Sequence, residues 1–207
     1  MARTDERGGP QTRARISEVA TRLFLERGFD AVSVAEVARE AGVSSVTVFN
    51  HFPRKEDLLL DRQVDAADLL RQAIRDRPAG VDVLQALEAL TQRLAEERVP
   101  LSGLDTRSGP FFRTVAASPA LVARARAIAA DLEQVLADEL EHEHAGGVAG
   151  PSALLAPFFI AGYTHVLVTS ARRLLAHEPA GSVADEHHSR LDDLFAALRR
   201  GVLPVSR

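Results

Sequence analysis

Six side chains within seven consecutive positions carry the densest recognition chemistry of this 207-residue chain. In "AGVSSVTVFNHFPRKEDL", residues 41–58, they are Ser45, Val46, Thr47, Phe49, Asn50 and His51. Together they offer hydroxyls, an amide, an imidazole, an aromatic ring and a branched aliphatic group, a set suited to base edges, methyl groups and phosphates. An asparagine amide can bridge N6 and N7 of adenine with two hydrogen bonds, which a carboxylate or a leucine cannot do. Lys55, the single lysine of the chain, stands just past Pro53, where a cation adds to helix N-terminal N–H groups on a phosphate. Arg13, Arg15 and Arg54 are further local cations. A short polar face of this kind is also what an ordinary solvated helix presents, so its meaning rests on the elements around it.

Those elements are legible in the spacing. Ile16, Val19, Ala20, Leu23 and Phe24 fall on one face of a helix, which Gly28 is placed to end in a left-handed conformation. Ser33 and Glu36 form an S-x-x-E capping box opening a second helix, with Val34, Val37, Ala38 and Ala41 as its apolar stripe and Gly42 as its stop. Ser44 caps a third helix, and Val43 and Val48 make a hydrophobic staple across that cap. Val48 and Phe52, four apart, point inward with Val43 and leave the six recognition residues outward. Two short helices joined by a glycine turn form a helix-turn-helix.

These residues carry a resemblance. From about Ala14 to Leu60 the chain resembles, without gaps, the DNA-binding domain of TetR-family transcriptional regulators. The pattern "AGVS…T…F.HF..K..L" is held by Ala41, Gly42, Val43, Ser44, Thr47, Phe49, His51, Phe52, Lys55 and Leu58. The resemblance implies that Ser45, Val46, Thr47, Phe49, Asn50 and His51 face the major groove, with Ser44 at the start of that helix and Ser33 and Lys55 on phosphates. Two positions depart from the family pattern. Phe49 stands where tyrosine is usual and removes a phenol hydrogen bond; Val46 stands where glycine is frequent and can pack on a thymine methyl.

The resemblance and the helical periodicity together predict an all-α protein of about nine helices. A flexible arm over 1–12 would precede a helix-turn-helix domain over 13–60 and a regulatory and dimerisation domain over 61–207. Beyond Pro53, "KEDLLLDRQVDAADLLRQAIRDR" reads as one long amphipathic helix, a stiff lever between reader and body. The last helix carries a stripe of Leu191, Leu194, Phe195, Leu198 and Val202, expected at a dimer interface by resemblance and equally compatible with an internal core. A second copy is needed because one short helix covers too few bases, so the implied partner is palindromic double-stranded DNA read by a homodimer. Phe111, Phe112, Phe158, Phe159, Tyr163 and His165 have the mainly apolar, sparsely polar character of a small-molecule site. An effector bound there would move the lever and release the operator.

Composition bounds the alternatives. The net charge is −4, so DNA binding must rest on where the cations sit. With no cysteine, disulfides and thiolate metal sites are excluded. His142 and His144, and likewise His187 and His188, diverge on a helix, so neither a metal nor another cofactor is expected. No G-x-S-x-G, P-loop or HExxH motif supports an enzyme. The most apolar run, "ALLAPFFIAGYTHVLV", is interrupted short of a membrane span, and a cytoplasmic protein is expected. The competing readings are a metal-responsive regulator with the same DNA head and a helical protein-interaction scaffold without specific DNA binding.

Overall fold

Side-chain caps at Ser33, Ser44 and Asp82 open three of the helices in this computed structural model, which describes residues 5–105, 107–143 and 154–202. Among the described residues there are nine α-helices and no strand: α1 Asp5–Arg27, α2 Val34–Glu40, α3 Ser45–His51, α4 Gln63–Arg75, α5 Val83–Glu96, α6 Ser108–Ala117, α7 Pro119–Glu143, α8 Leu155–Leu175 and α9 Ala180–Val202. Single 3-10 turns cover Glu56–Leu58 and Pro100–Ser102. The all-α class expected from the sequence is therefore observed. Gly42 adopts φ +65° between α2 and α3, a left-handed conformation that only glycine takes cheaply. This lets the Val43 N–H reach back to the Ala38 carbonyl at 2.9 Å.

Two expected boundaries are corrected. The arm expected over 1–12 is helical from Asp5, and α1 runs through Pro10, whose fixed φ is compatible with a helix although one N–H is lost. The long helix expected from Lys55 to Arg77 is broken. A 3-10 turn ends at Leu58, residues 59–62 form a turn, and α4 starts only at Gln63. Leu58 and Leu59 are both buried in the core of the N-terminal unit. Neighbouring residues of a regular helix point about 100° apart, and here both enter the same core. The Ser17 hydroxyl donates to Asp61 at the end of this segment. A continuous lever through these residues is not present.

The chain forms two compact units. The first comprises the chain to Asp61 together with Pro110–Ala125; the second comprises Arg62–Gly109 and the chain from Arg126 onward. In the first, α1, α2 and α3 close around Ile16, Phe24, Val37, Val48 and Phe52. Leu121, from the opening of α7, is fully buried in that same core, and Phe111 and Val115 of α6 lie against it. Arg124 Nε donates to Asp57 Oδ1 at 2.7 Å, with both side chains largely shielded from water. The expected division at residue 60 thus leaves out a second stretch that belongs with the helix-turn-helix.

In the second unit, α4, α5, α8, α9 and the rest of α7 surround Ile74, Leu87, Leu136, Phe159 and Phe195. Arg75 grips the largely buried Glu139 through two bonds, at 2.7 and 2.6 Å. This holds the Glu139 carboxyl below its ordinary value despite the opposing effect of burial. Helices α8 and α9 approach closely at Gly162, where an added Cβ would lie 2.2 Å from a Leu194 methyl. The stripe expected at a dimer interface is internal: Leu191, Phe195 and Leu198 are buried within the chain and Leu194 lies against the same cores. The Val202 side chain lies outside the described residues.

Candidate nucleic-acid interface

The helix-turn-helix is assembled by reciprocal short-range bonds. Ser33 Oγ accepts from the Glu36 N–H at 3.2 Å, and the Ser33 N–H donates to Glu36 Oε2 at 2.8 Å, completing the capping box. The Ser33 N–H and the Arg27 guanidinium, at 2.9 Å, hold the Glu36 carboxyl down to about 2. Ser44 Oγ accepts from the Thr47 N–H at 3.0 Å, and the two hydroxyls bond at 2.8 Å. Ser33, Ser44 and Thr47 therefore shape the helix starts with the same oxygen atoms that were expected to meet DNA. Val43 and Val48 both join the core beneath, as a staple requires.

Of the six residues expected on the outward face of α3, Val46, Phe49 and Asn50 are exposed. Val46 is 69% exposed and Phe49 50% exposed, with the exposed Asn50 amide beside them. Ser45 and His51 are half-buried at its edges. Val48 and Phe52 fill the inner face completely. The helix thus has a finished side and an unfinished one, and the unfinished side holds two large apolar groups next to an amide.

The cations divide into two groups. Lys55 Nζ donates to the Phe29 carbonyl at 2.7 Å and sits 4.2 Å from the Phe29 ring centroid and 5.7 Å from that of Phe24. An ammonium has three N–H donors, so Lys55 fastens the α1–α2 turn with one and keeps two. Arg13 Nη1 donates to the His51 carbonyl at 2.6 Å, and its guanidinium lies 4.2 Å over the Phe52 ring. Arg22 and Arg27 are paired with Glu26, Glu40 and Glu36. Arg15, Arg39 and Arg54 are exposed and have no ion-pair partner among the described residues. With Arg113 of α6, also exposed and without an ion-pair partner among the described residues, they are cations that this unit presents to solvent. Arg39 was missed from the sequence, since nothing in its spacing separates it from the paired arginines.

The expected ligand-lining aromatics are not gathered within either unit. Phe111 and Phe112 belong to the first unit and meet edge to face at 5.6 Å. The other four stand on α8, in the second unit. There Phe159 is buried and stacks on Tyr163 at 6.0 Å, whereas Phe158 and His165 are exposed. Burial pushes the Tyr163 hydroxyl above its ordinary range, and it donates to the Leu101 carbonyl at 3.3 Å. A cavity of about 340 Å³ in the second unit is lined by the apolar Leu69, Leu94, Val99 and Leu101 and by Arg62, Asp65, Arg93 and Glu97. Its lining mixes charged and apolar positions of α4, α5 and the turn after α5, so no compact sequence motif announces it.

His187 is fully buried on α9, bonds through Nδ1 to Ser170 Oγ at 2.9 Å, and leaves Nε2 without a partner. Burial first, then the neighbouring His188 and Arg190, push it down to about 4. Among the described residues no group of three His, Asp or Glu could hold a metal ion; His144 lies outside them. No helix among them is long and apolar enough to cross a membrane.

Comparison with known proteins follows the same division. Residues 16–61 match the family of bacterial regulatory proteins, tetR family. The chain is 40% identical over 58 residues to the HTH-type transcriptional regulator AcrR of Shigella flexneri, covering 28% of this chain and 27% of that protein. Similarity to the regulator TtgR of Pseudomonas putida is 32% over 111 residues, 52% of this chain and 50% of that protein. The chain thus spans between about a quarter and a half of the curated relatives it matches. The crystal structure of Thermus thermophilus FadR, a TetR-family transcriptional repressor in complex with lauroyl-CoA, superposes with a TM-score of 0.53 at 25% identity. That match covers 94% of this chain and 97% of FadR.

Proposed function

We propose that this chain, whose residues 16–61 match the bacterial regulatory proteins of the tetR family, is a sequence-specific DNA-binding transcriptional regulator. It acts as a homodimeric repressor on a palindromic operator and is released by a small-molecule effector. The observation that carries the reading is the unfinished face of α3, where Val46, Phe49 and Asn50 stand exposed over a fully buried inner face. Such a face gains partners on entering a major groove: methyl groups for Val46 and Phe49, a purine edge for Asn50. Arg15, Arg39 and Arg54, with the spare donors of Lys55, supply the phosphate contacts that set register.

A half-site read by seven residues needs a second copy, with the two α3 helices about 34–36 Å apart along the DNA. The buried stripe on α9 is unavailable for that pairing. The open face of α8 takes its place: Leu154, Phe158, Ala161, His165, Val168 and Arg172 recur at the three- and four-residue steps of a helix–helix seam. Three of these, Leu154, Phe158 and Val168, are large apolar groups 55%, 50% and 40% exposed.

The effector is assigned to the second unit. The lauroyl-CoA of FadR favours a molecule with both apolar and charged parts, which the mixed apolar and charged lining of the 340 Å³ cavity suits. Switching most of the population requires the effector to favour the DNA-free state by about 5 kcal/mol.

Selection of a randomised duplex library with purified protein at moderate salt tests the reading. Enrichment of a palindrome with half-sites one turn apart is the expected result. Weak, salt-sensitive binding without enrichment would mean that the α3 face serves a protein contact, and the regulator reading would be abandoned.

A further inference from the structure

Arg13 engages the end of α3 at two points, although its sequence position marks it only as a local cation. Helix α3 has seven residues, too few to be stable alone, and its C-terminal end lacks the usual devices. Its C-cap is Phe52 in extended conformation (φ −137°, ψ 94°) rather than a left-handed glycine. The next residue, Pro53, has no N–H to return to the Phe49 carbonyl. The Phe52 N–H satisfies Val48 at 2.8 Å. The His51 carbonyl is satisfied from another helix, by Arg13 Nη1 of α1 at 2.6 Å. The same guanidinium lies 4.2 Å over the ring of Phe52, itself 1% exposed. A charge-assisted bond, a ring contact and a cation at the negative end of a helix dipole thus converge on two adjacent residues.

We infer that Arg13 is a positioning residue for DNA reading. It fixes the rotation of α3 about its own axis, and so decides whether Val46, Phe49 and Asn50 meet base edges together. A guanidinium directed at a carbonyl and an aromatic face holds α3 at two points off its axis, which a hydrophobic inner face alone does not do. This inference rests on the proposed DNA-binding function and separates from it in the test.

The test compares Arg13→Gln, Arg13→Lys and Arg15→Gln with the unaltered protein. Each binds the selected palindrome and a scrambled duplex across a salt series, and amide exchange of α3 is followed without DNA. Arg13→Gln is expected to lose on the order of tenfold on the palindrome, about what one charge-assisted bond supports, with little loss on the scrambled duplex. Its salt slope should be unchanged and its α3 amides should exchange faster, whereas Arg13→Lys restores part of the preference. Arg15→Gln should weaken both duplexes alike and lower the slope by about 1. Equal loss of Arg13→Gln on both duplexes with a lower slope would make Arg13 a phosphate ligand and overturn the inference. Unchanged α3 exchange would overturn it as well, even if the unaltered protein selects no sequence. Absence of selection by the unaltered protein, with α3 exchange still faster in Arg13→Gln, would remove the regulator reading and with it the DNA-reading role, leaving Arg13 a structural clamp.

Discussion

Asn50 is exposed on α3 with its amide uncommitted, whereas the hydroxyls of Ser44 and Thr47 are bonded to each other. Asn50→Ala should therefore leave the fold intact and relax preference at one base position by about 1–3 kcal/mol. Re-selection of the library with the variant measures this, and an unchanged motif would show that another face of α3 reads the bases. His187 governs a different observable. Its ordinary value is 6.5 and the folded value is about 4, so on acidification the unfolded chain takes up a proton first. Stability is fully present above about 6.5, falls as pH drops toward 4, and levels off below. A shift of that size corresponds to about 3 kcal/mol at most. Denaturant unfolding of the unaltered protein and of His187→Leu between pH 7 and 4 should show that the variant loses less over this window.

At the scale of elements, what could be read from the sequence was what lies within three or four residues. Ser33 with Glu36, Ser44 with Thr47, and the glycine turn at Gly42 each complete a bond inside the stretch that spells them. The outward face of α3 follows once Val48 and Phe52 are fixed inward. Long-range choices left no local trace. The chain breaks at 59–62, where Leu58 and Leu59 both enter the core of the first unit. The stripe of α9 turns inward because α5 and α8 supply its partners. The sites of Arg13 and Lys55 depend on carbonyls 38 and 26 residues away, which no spacing rule reaches. The α8–α9 crossing offers a test of such packing. Gly162→Ala places a methyl against Leu194, and because a leucine end can rotate, the expected cost is about 1–3 kcal/mol rather than loss of the fold. Thermal unfolding measures it, and an unshifted midpoint would mean that Leu194 yields freely.

For the whole molecule, assembly follows from which faces remain open. If α8 pairs with a second copy, Phe158→Glu within its exposed stripe should convert a dimer to monomer in sedimentation. Leu198, already buried, is a contrasting site: Leu198→Ala should lower stability by about 2–5 kcal/mol without selectively dissociating the dimer. A monomeric unaltered protein, or a dimer untouched by Phe158→Glu, would place the interface elsewhere.

The seating of Leu121 and Arg124 in the first unit also sets a schedule for the growing polypeptide. When residue 61 has left the ribosome, the reading head still lacks one wall of its core and the partner of Asp57. At roughly 5–20 residues per second, the missing stretch follows only about three to twelve seconds later. Through that interval the nascent head holds an apolar gap where Leu121 will sit. A gene fusion that transplants the head as residues 1–61 would make that gap permanent, so a working chimera has to carry two separate pieces of sequence.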